Sequence, residues 1–392
     1  TMRMARIADR LASLGAEKWQ VHFEGRRRAA AGEKVIFLSI GEPDAPPPAA
    51  ILDVAEKAMR SGRYRYAPGQ GEANVLEALA RRYSKDTGRS LSPAQFLYLP
   101  GTQTALYVAA TTLLDEGDEI LLPDPYYATY EGVVAAPGAV AVPVPLDPDR
   151  GFHPHVADFE RAITPRTRAI LINSPGNPTG AVYTAAEVAA IGAMARKHDL
   201  WIISDEVYAT LTHGNRPFVS PFHDPALEER TVVVSSLSKS HNMPGFRCGW
   251  IAASAAFVSR AVAITEAMLF GSQAFLEDAA AFALDHHFPE LDAVKETYQR
   301  RARTLVEGLS ASPRVSAHLP EGGMFVMVDV RKTGLTGQNF AAGLLATEGV
   351  VTMPGESFGA GGAGHLRVAL TVGEDQMGEA ARRICRYANS LA

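Results

Sequence analysis

The stretch Thr231-Val232-Val233-Val234-Ser235-Ser236-Leu237-Ser238-Lys239-Ser240 runs from a β-branched apolar segment straight into hydroxyls and a lysine. A short Val-rich run of this kind suits a strand buried on both faces, as in a parallel sheet. Glu119–Pro123, Val140–Pro145, Arg168–Asn173, Leu200–Ser204 and Gly249–Ala253 carry the same signature, and Phe96–Leu99 is strand-like before them. Between these runs lie helix-patterned segments, Ile51–Met59, Thr104–Leu114 and Ala185–His198. The last places Val188, Ile191, Met194 and Ala195 on one face and Lys197 and His198 in its final turn, as an amphipathic helix should. This alternation predicts an α/β fold with a doubly wound, mainly parallel sheet over residues 49–285. The chain ends read differently. Residues 1–48 hold one helix-like piece that Pro46-Pro47-Pro48 stops. Residues 286–392 add the strand-like Met324–Val330 and a helix at Asp375–Ser390. Together the two ends are expected to form an N-terminal arm and a smaller α+β domain. Glu277–Ser310 reads as an Ala- and acid-rich helical segment, and Gly359–Gly364 as a loop tip.

Of the 392 residues, 38 are Lys or Arg and 43 Asp or Glu, a net charge of −5, and 47% are hydrophobic. This is the balance of a globular chain. No run of like charge exceeds Arg26-Arg27-Arg28, so the footprint needed for a phosphate backbone is missing and nucleic acid is not an expected partner. No apolar run approaches the roughly 18–20 residues that span a bilayer, and no signal-like segment opens the chain. The expectation is a cytoplasmic protein with no membrane partner. The cysteines, Cys248 and Cys385, stand outside any zinc or redox motif and read as buried hydrophobes. His153/His155 and His286-His287 lack complementary ligands nearby in sequence, so no metal is expected.

Lys239 stands just beyond an apolar strand, where desolvation disfavours its ammonium form and makes the amine a usable nucleophile toward a carbonyl. The hydroxyls of Ser236 and Ser238 and the fixed cation of Arg247 suit a bound phosphate. Asp205 closes another apolar strand, at the edge where open α/β sheets bind ligands. A carboxylate there needs a cation, and a protonated pyridine nitrogen supplies one. Asn177, in Asn177-Pro178-Thr179-Gly180, again follows a strand. Gly101-Thr102-Gln103-Thr104 opens a helix whose first amides can cradle a phosphate.

Taken in order, Gly41-Glu42-Pro43-Asp44, Tyr66, Gly101–Leu106, Asp124–Tyr127, Asn177–Gly180, Asp205–Tyr208, Ser236–Lys239, Arg247 and Pro354–Gly359 through Arg367 resemble the fold-type I, class I/II aminotransferases that use pyridoxal 5'-phosphate. The resemblance runs over nearly the whole chain and implies a fold-type I architecture. It also implies roles. Lys239 matches the lysine that bonds the cofactor and shuttles the substrate proton. Asp205 matches the partner of the ring nitrogen, Tyr208 and Asn177 the groups on the ring oxygen, and Tyr127 the aromatic stacked on the ring. Thr102, Gln103, Ser236, Ser238 and Arg247 match the phosphate site. Tyr66 matches a tyrosine lent to the neighbouring subunit's phosphate, which implies a homodimer with shared active sites. Gly41, Asn177 and Arg367 match substrate contacts, Arg367 gripping the α-carboxylate.

One departure is Val75-Leu76, where relatives carry Leu-Arg after the glycine equivalent to Gly71. The segments Lys18–His22, Ser236–Met243 and Glu321–Asp329 look most like the arginine–pyruvate transaminase branch. The expected reaction therefore moves an amino group from an L-amino acid, with arginine or another guanidino or basic donor in view, to a 2-oxo acid such as pyruvate. Two alternatives stay open on the same fold, a carbon–sulfur β-lyase and a guanidino-amino-acid oxidase or cyclase.

Overall fold

The computed structural model describes residues 4–392. Its centre is a seven-stranded sheet in the spatial order Phe96–Leu99, Gly249–Ala252, Thr231–Ser236, Trp201–Asp205, Thr167–Asn173, Glu119–Asp124, Val140–Pro145. Gly249–Ala252 runs against both its neighbours while the other pairs are parallel, so the mainly parallel reading holds. The central runs are buried on both faces, as their unbroken apolar composition requires. Val140–Pro145 differs. It is an edge strand and is mostly open to solvent, because the sheet ends there and no further strand pairs with it among the described residues.

Helices Ala185–Lys197 and Gly101–Leu113 connect strands. Thr184 caps the first, its side chain accepting from the Glu187 N–H while the Glu187 carboxylate accepts from the Thr184 N–H, a reciprocal pair that satisfies two helix-end donors. Gly101–Leu113 begins three residues earlier than its apolar pattern suggests. Gly249 explains how it can. A Cβ there would lie 2.5 Å from the Gly101 carbonyl carbon, so only glycine lets the helix start rest directly on the strand.

A second structure comes from the chain ends. Ile36–Phe37 pairs in parallel with Val350–Val351, and a four-stranded sheet joins Met353–Pro354, His365–Ala369, Phe325–Asp329 and Ser316–Ala317. Helices Val294–Leu309, Gly337–Glu348 and Glu374–Ser390 bury Leu305, Phe340, Leu344, Met377 and Ile384 beside these strands. Arg301 ties the N-terminal segment down with paired bonds of 2.8 and 2.7 Å to Asp44. Glu277–Ser310 is not one helix but two, Ala274–Asp285 and Val294–Leu309. Pro289 lies between them, and its ring and missing N–H end helical continuity. Gly359–Gly364 is not a loop tip. The Gly361 N–H donates to the Asp124 carboxylate at 2.9 Å, and a Cβ on Gly361 would stand 2.4 Å from the Asp124 carbonyl oxygen, so the glycines serve close packing. No described helix is long and apolar enough to cross a membrane.

Leu97, fully buried in the first strand of the sheet, is expected to cost about 2–5 kcal/mol on replacement by alanine through lost burial and the cavity left behind. Denaturant unfolding should show a lower midpoint with an unchanged slope.

Candidate active site

The strands of the seven-stranded sheet feed the site at their carboxyl ends. Asp205 ends Trp201–Asp205, Ser236 ends Thr231–Ser236, Asn173 ends Thr167–Asn173, and Gly101 follows Phe96–Leu99. Parallel strands with similar registers deliver these side chains to one edge of the sheet. The cavity they form is lined by Thr102, Gln103, Tyr127, Asn177, Asp205, Tyr208, Ser236, Ser238, Lys239, Arg247, Gly41 and Arg367. These are the sequence-predicted residues with one exception. Tyr66 lies outside this cavity, 85% exposed, its ring edge-on to Phe270 at 5.1 Å between centroids.

Lys239 is placed by the turn after Thr231–Ser236, and its Nζ donates to the Gly41 carbonyl. Burial lowers its pKa to about 8, and the nearby Arg367 and Arg247 push the same way against the opposing charge of Glu42. Asp205 is raised to about 6 by burial, although the Tyr130 hydroxyl at 2.6 Å and the Val207 N–H support its ionised form. Asn173 fixes the same residue by donating to the Asp205 carbonyl at 3.0 Å. A buried carboxylate with one hydroxyl donor and, among the described residues, no cation suits a positive partner.

Arg367 is the most constrained group. It is 2% exposed, and its guanidinium carbon lies 4.2 Å from the Phe325 ring centroid and 4.6 Å from that of Phe358. Nη1 donates to the Asn177 side-chain oxygen at 2.9 Å, and Nη2 to the Ser39 carbonyl. Its Nε has no partner, and among the described residues no carboxylate pairs with it. Burial lowers its pKa to about 10. Such a cation has its planar fork available to an incoming carboxylate.

At the other end of the cavity, the Thr102 hydroxyl is buried without a hydrogen-bond partner. Gly101 takes φ +86°, and a Cβ there would lie 2.4 Å from Arg247 Nη2. The guanidinium is thus held against the helix start, next to Ser236 and Ser238. Helix amides, orphaned hydroxyl and cation together suit a phosphate. With a carboxylate for a ring nitrogen and a lysine of lowered pKa between, the residues fit pyridoxal phosphate.

Sequence reasoning missed Tyr130, Asn173, Trp19 and Phe325, which also line the cavity. Tyr130 follows Tyr127 by three residues, and a turn in which its N–H donates to the Tyr127 carbonyl brings the two rings edge-on at 5.8 Å; that short spacing offered the one local signal. Phe325 is a strand residue like many others until Arg367 is placed over it.

A model of the family described as "Aminotransferase class I and II" matches residues 33–384. The arginine–pyruvate transaminase of Pseudomonas aeruginosa is 41% identical over 390 residues, covering 100% of this chain and 99% of that protein. An aspartate aminotransferase of Geobacillus stearothermophilus is 32% identical over 394 residues, covering 99% of this chain and all of that one. Among solved structures, the Thermus thermophilus aspartate aminotransferase with maleate superposes with a TM-score of 0.92 at 30% identity, covering 98% of this chain and 100% of that chain. These relatives are named for amino transfer, and elimination finds no support among them. The chain therefore belongs to the class I and II aminotransferase family, has its fold-type I architecture, and uses pyridoxal phosphate as its cofactor.

Proposed function

We propose that this aminotransferase takes L-arginine as amino donor and pyruvate as acceptor. The observation that carries the reading is the charge inventory of the cavity. Its lining cations are Lys239, Arg247 and Arg367, and all three are committed, to the cofactor bond, the phosphate and the substrate α-carboxylate in turn. No further cation among the described lining residues is left for the second carboxylate of a dicarboxylic donor. Exposed Glu42 follows cavity-lining Gly41, its charge acts on Lys239, and it has no ion-pair partner among the described residues. Its charge suits a guanidinium. The name of the Pseudomonas relative points the same way.

Pyridoxal phosphate supplies an aldehyde that bonds amines and a ring that draws electron density from the substrate Cα. Arg367 and Asn177 orient the donor through its carboxylate, with the Gly41 backbone alongside. Lys239, with its amine made available by burial, would hold the cofactor and would serve as the base for the proton at the substrate Cα. Asp205, held by Tyr130, would keep the ring nitrogen protonated. Tyr208 and Asn177 would hold the ring oxygen and Tyr127 the ring itself. Thr102, Gln103, Ser236, Ser238 and Arg247 would hold the phosphate.

Within the same reading the active form is a homodimer, exposed Tyr66 reaching the phosphate of a second copy beside exposed Tyr64 and Phe270. Residues 49–285 form the cofactor domain, and 1–48 with 286–392 the arm and small domain. A cytoplasmic setting fits two buried, unpaired cysteines.

Holoenzyme given L-arginine and pyruvate should yield alanine; no alanine from arginine, with activity on aspartate instead, would overturn the donor assignment. Lys239→Ala should retain cofactor without turnover. Arg367→Gln should weaken both substrates by about 1.5–3 kcal/mol for each charge-assisted bond lost, read as KM for amino and oxo acid. Because the neutral amine of Lys239 predominates above its lowered pKa, cofactor uptake by the apoenzyme should accelerate through about pH 8 and level off. A stopped-flow rate still climbing near the ordinary lysine value of about 10.4 refutes it. Gly101→Ala, strained at φ +86° and driven against Arg247, should weaken cofactor binding at least about tenfold, as the tight approach there predicts, measured by fluorescence titration.

A further inference from the structure

Away from the cofactor cavity, His153 sits between two carboxylates. Its Nδ1 lies 2.8 and 3.0 Å from the Glu187 oxygens, and its Nε2 lies 2.6 Å from Glu321. The flanking backbone is unusual. Gly151 and Phe152 both take positive φ, +68° and +60°, and the second is a conformation that a bulky aromatic rarely adopts. That bend buries Phe152 edge-on to His365 at 5.6 Å, two residues before Arg367 on the same strand.

Glu321 belongs to a segment stitched to the substrate side of the site. The N–H groups of Glu321 and Gly322 both donate to the Gly180 carbonyl, at 2.9 and 3.0 Å, and the Val182 N–H donates to the Glu321 carboxylate. His213 holds the same segment from behind, its ring nitrogens 3.1 and 3.0 Å from the Pro320 and Gly323 carbonyls. Gly180 ends the turn that carries Asn177. The segment itself leads into Phe325, which covers Arg367. Loop 148–153 therefore meets the chain's C-terminal part at Glu321 and at His365, and both contacts lie a few residues from groups placed on the substrate carboxylate.

We propose that the Gly151–His153 bend, with His153 clamped between Glu187 and Glu321, is a latch that positions Asn177, Phe325 and Arg367 for the substrate carboxylate. The inference rests on the assignment of Arg367 and Asn177 to that carboxylate. His153 is a positioning residue, since it does not line the cofactor cavity. The trio is not a metal site: both ring nitrogens already face carboxylates, and no metal-holding cluster occurs among the described residues.

Hydrogen bonding to Glu321 is the largest influence on His153, raising its pKa to about 9 with Glu187 adding to it against burial. Arg216, 3.4 Å from Glu321, competes for that carboxylate. His153, Arg216 and Glu321 line a cleft whose other charged or titratable groups are Asp149, Arg150, His318, Asp329 and His365, and Arg331 bridges Asp149 and Asp329. The folded pKa lies above the ordinary histidine value near 6.5. The latch thus contributes fully below about pH 6.5 and is lost as pH rises through about 9.

The test is the half-reaction of holoenzyme with whichever of the twenty common amino acids converts it fastest, followed by cofactor absorbance from pH 6.5 to 10. His153→Gln should raise the half-saturation constant about tenfold, leaving the limiting rate within about twofold and cofactor affinity unchanged, the signature of lost substrate positioning. Wild-type half-saturation should rise above pH 9 more steeply than that of His153→Arg, whose charge does not titrate. An unchanged half-saturation constant in His153→Gln, identical alkaline limbs in wild type and His153→Arg, or a parallel fall of rate and cofactor affinity would overturn the proposal. Arg367→Gln in the same assay tests the carboxylate assignment separately: if it leaves half-saturation unchanged, that assignment fails whatever His153 shows.

Discussion

A guanidinium buried without a carboxylate is the constraint around which this molecule is arranged. Moving a charge out of water is costly unless it is paired and hydrogen-bonded, and Arg367 is 2% exposed with only neutral acceptors for company. What makes the position tolerable is aromatic cover from Phe325 and Phe358, an amide oxygen from Asn177 and a backbone carbonyl from Ser39. Those four partners come from four separate stretches of chain. Fixing them requires the N-terminal segment, the turn after Thr167–Asn173 and the smaller sheet to meet at one point, which is why so much of the chain is committed to a single side chain.

The same logic of incomplete pairing recurs across the cavity. Asp205 has a hydroxyl and an amide where a cation would be expected, Thr102 a hydroxyl without a partner, and Lys239 a carbonyl in place of an acid. Each group is left one interaction short inside the described protein. Burial then tunes the groups in opposite directions, the lysine down to about 8 and the aspartate up to about 6. Both shifts reduce the cost of keeping unpaired charge inside the protein until ligand arrives.

Much of this is legible in the chain because the carriers are local. A Val-rich strand running into Ser236, Ser238 and Lys239, or an apolar strand ending at Asp205, places its polar residue at the sheet edge whatever the rest of the fold does. Sequence misleads where local pattern and environment part ways. Val140–Pro145 has the composition of a central strand, but position at the sheet edge exposes it. Gly359–Gly364 has the composition of a flexible tip, but the glycines admit Asp124 at close range. His153 reads as isolated because its two carboxylates stand 34 and 168 residues away in sequence.

By itself the sequence determined the alternation of elements, the family, and which polar side chains stand at the ends of the buried strands, because spacing along a strand or turn settles which edge a residue reaches. Only the tertiary structure decided their state: which charges are left unpaired, that Tyr130 supports Asp205, that Phe325 covers Arg367, and that Tyr66 lies exposed outside its own cavity. Those facts depend on contacts between segments far apart in the chain, and desolvation, which sets the charge of each group, is a property of the enclosed space and not of any one residue.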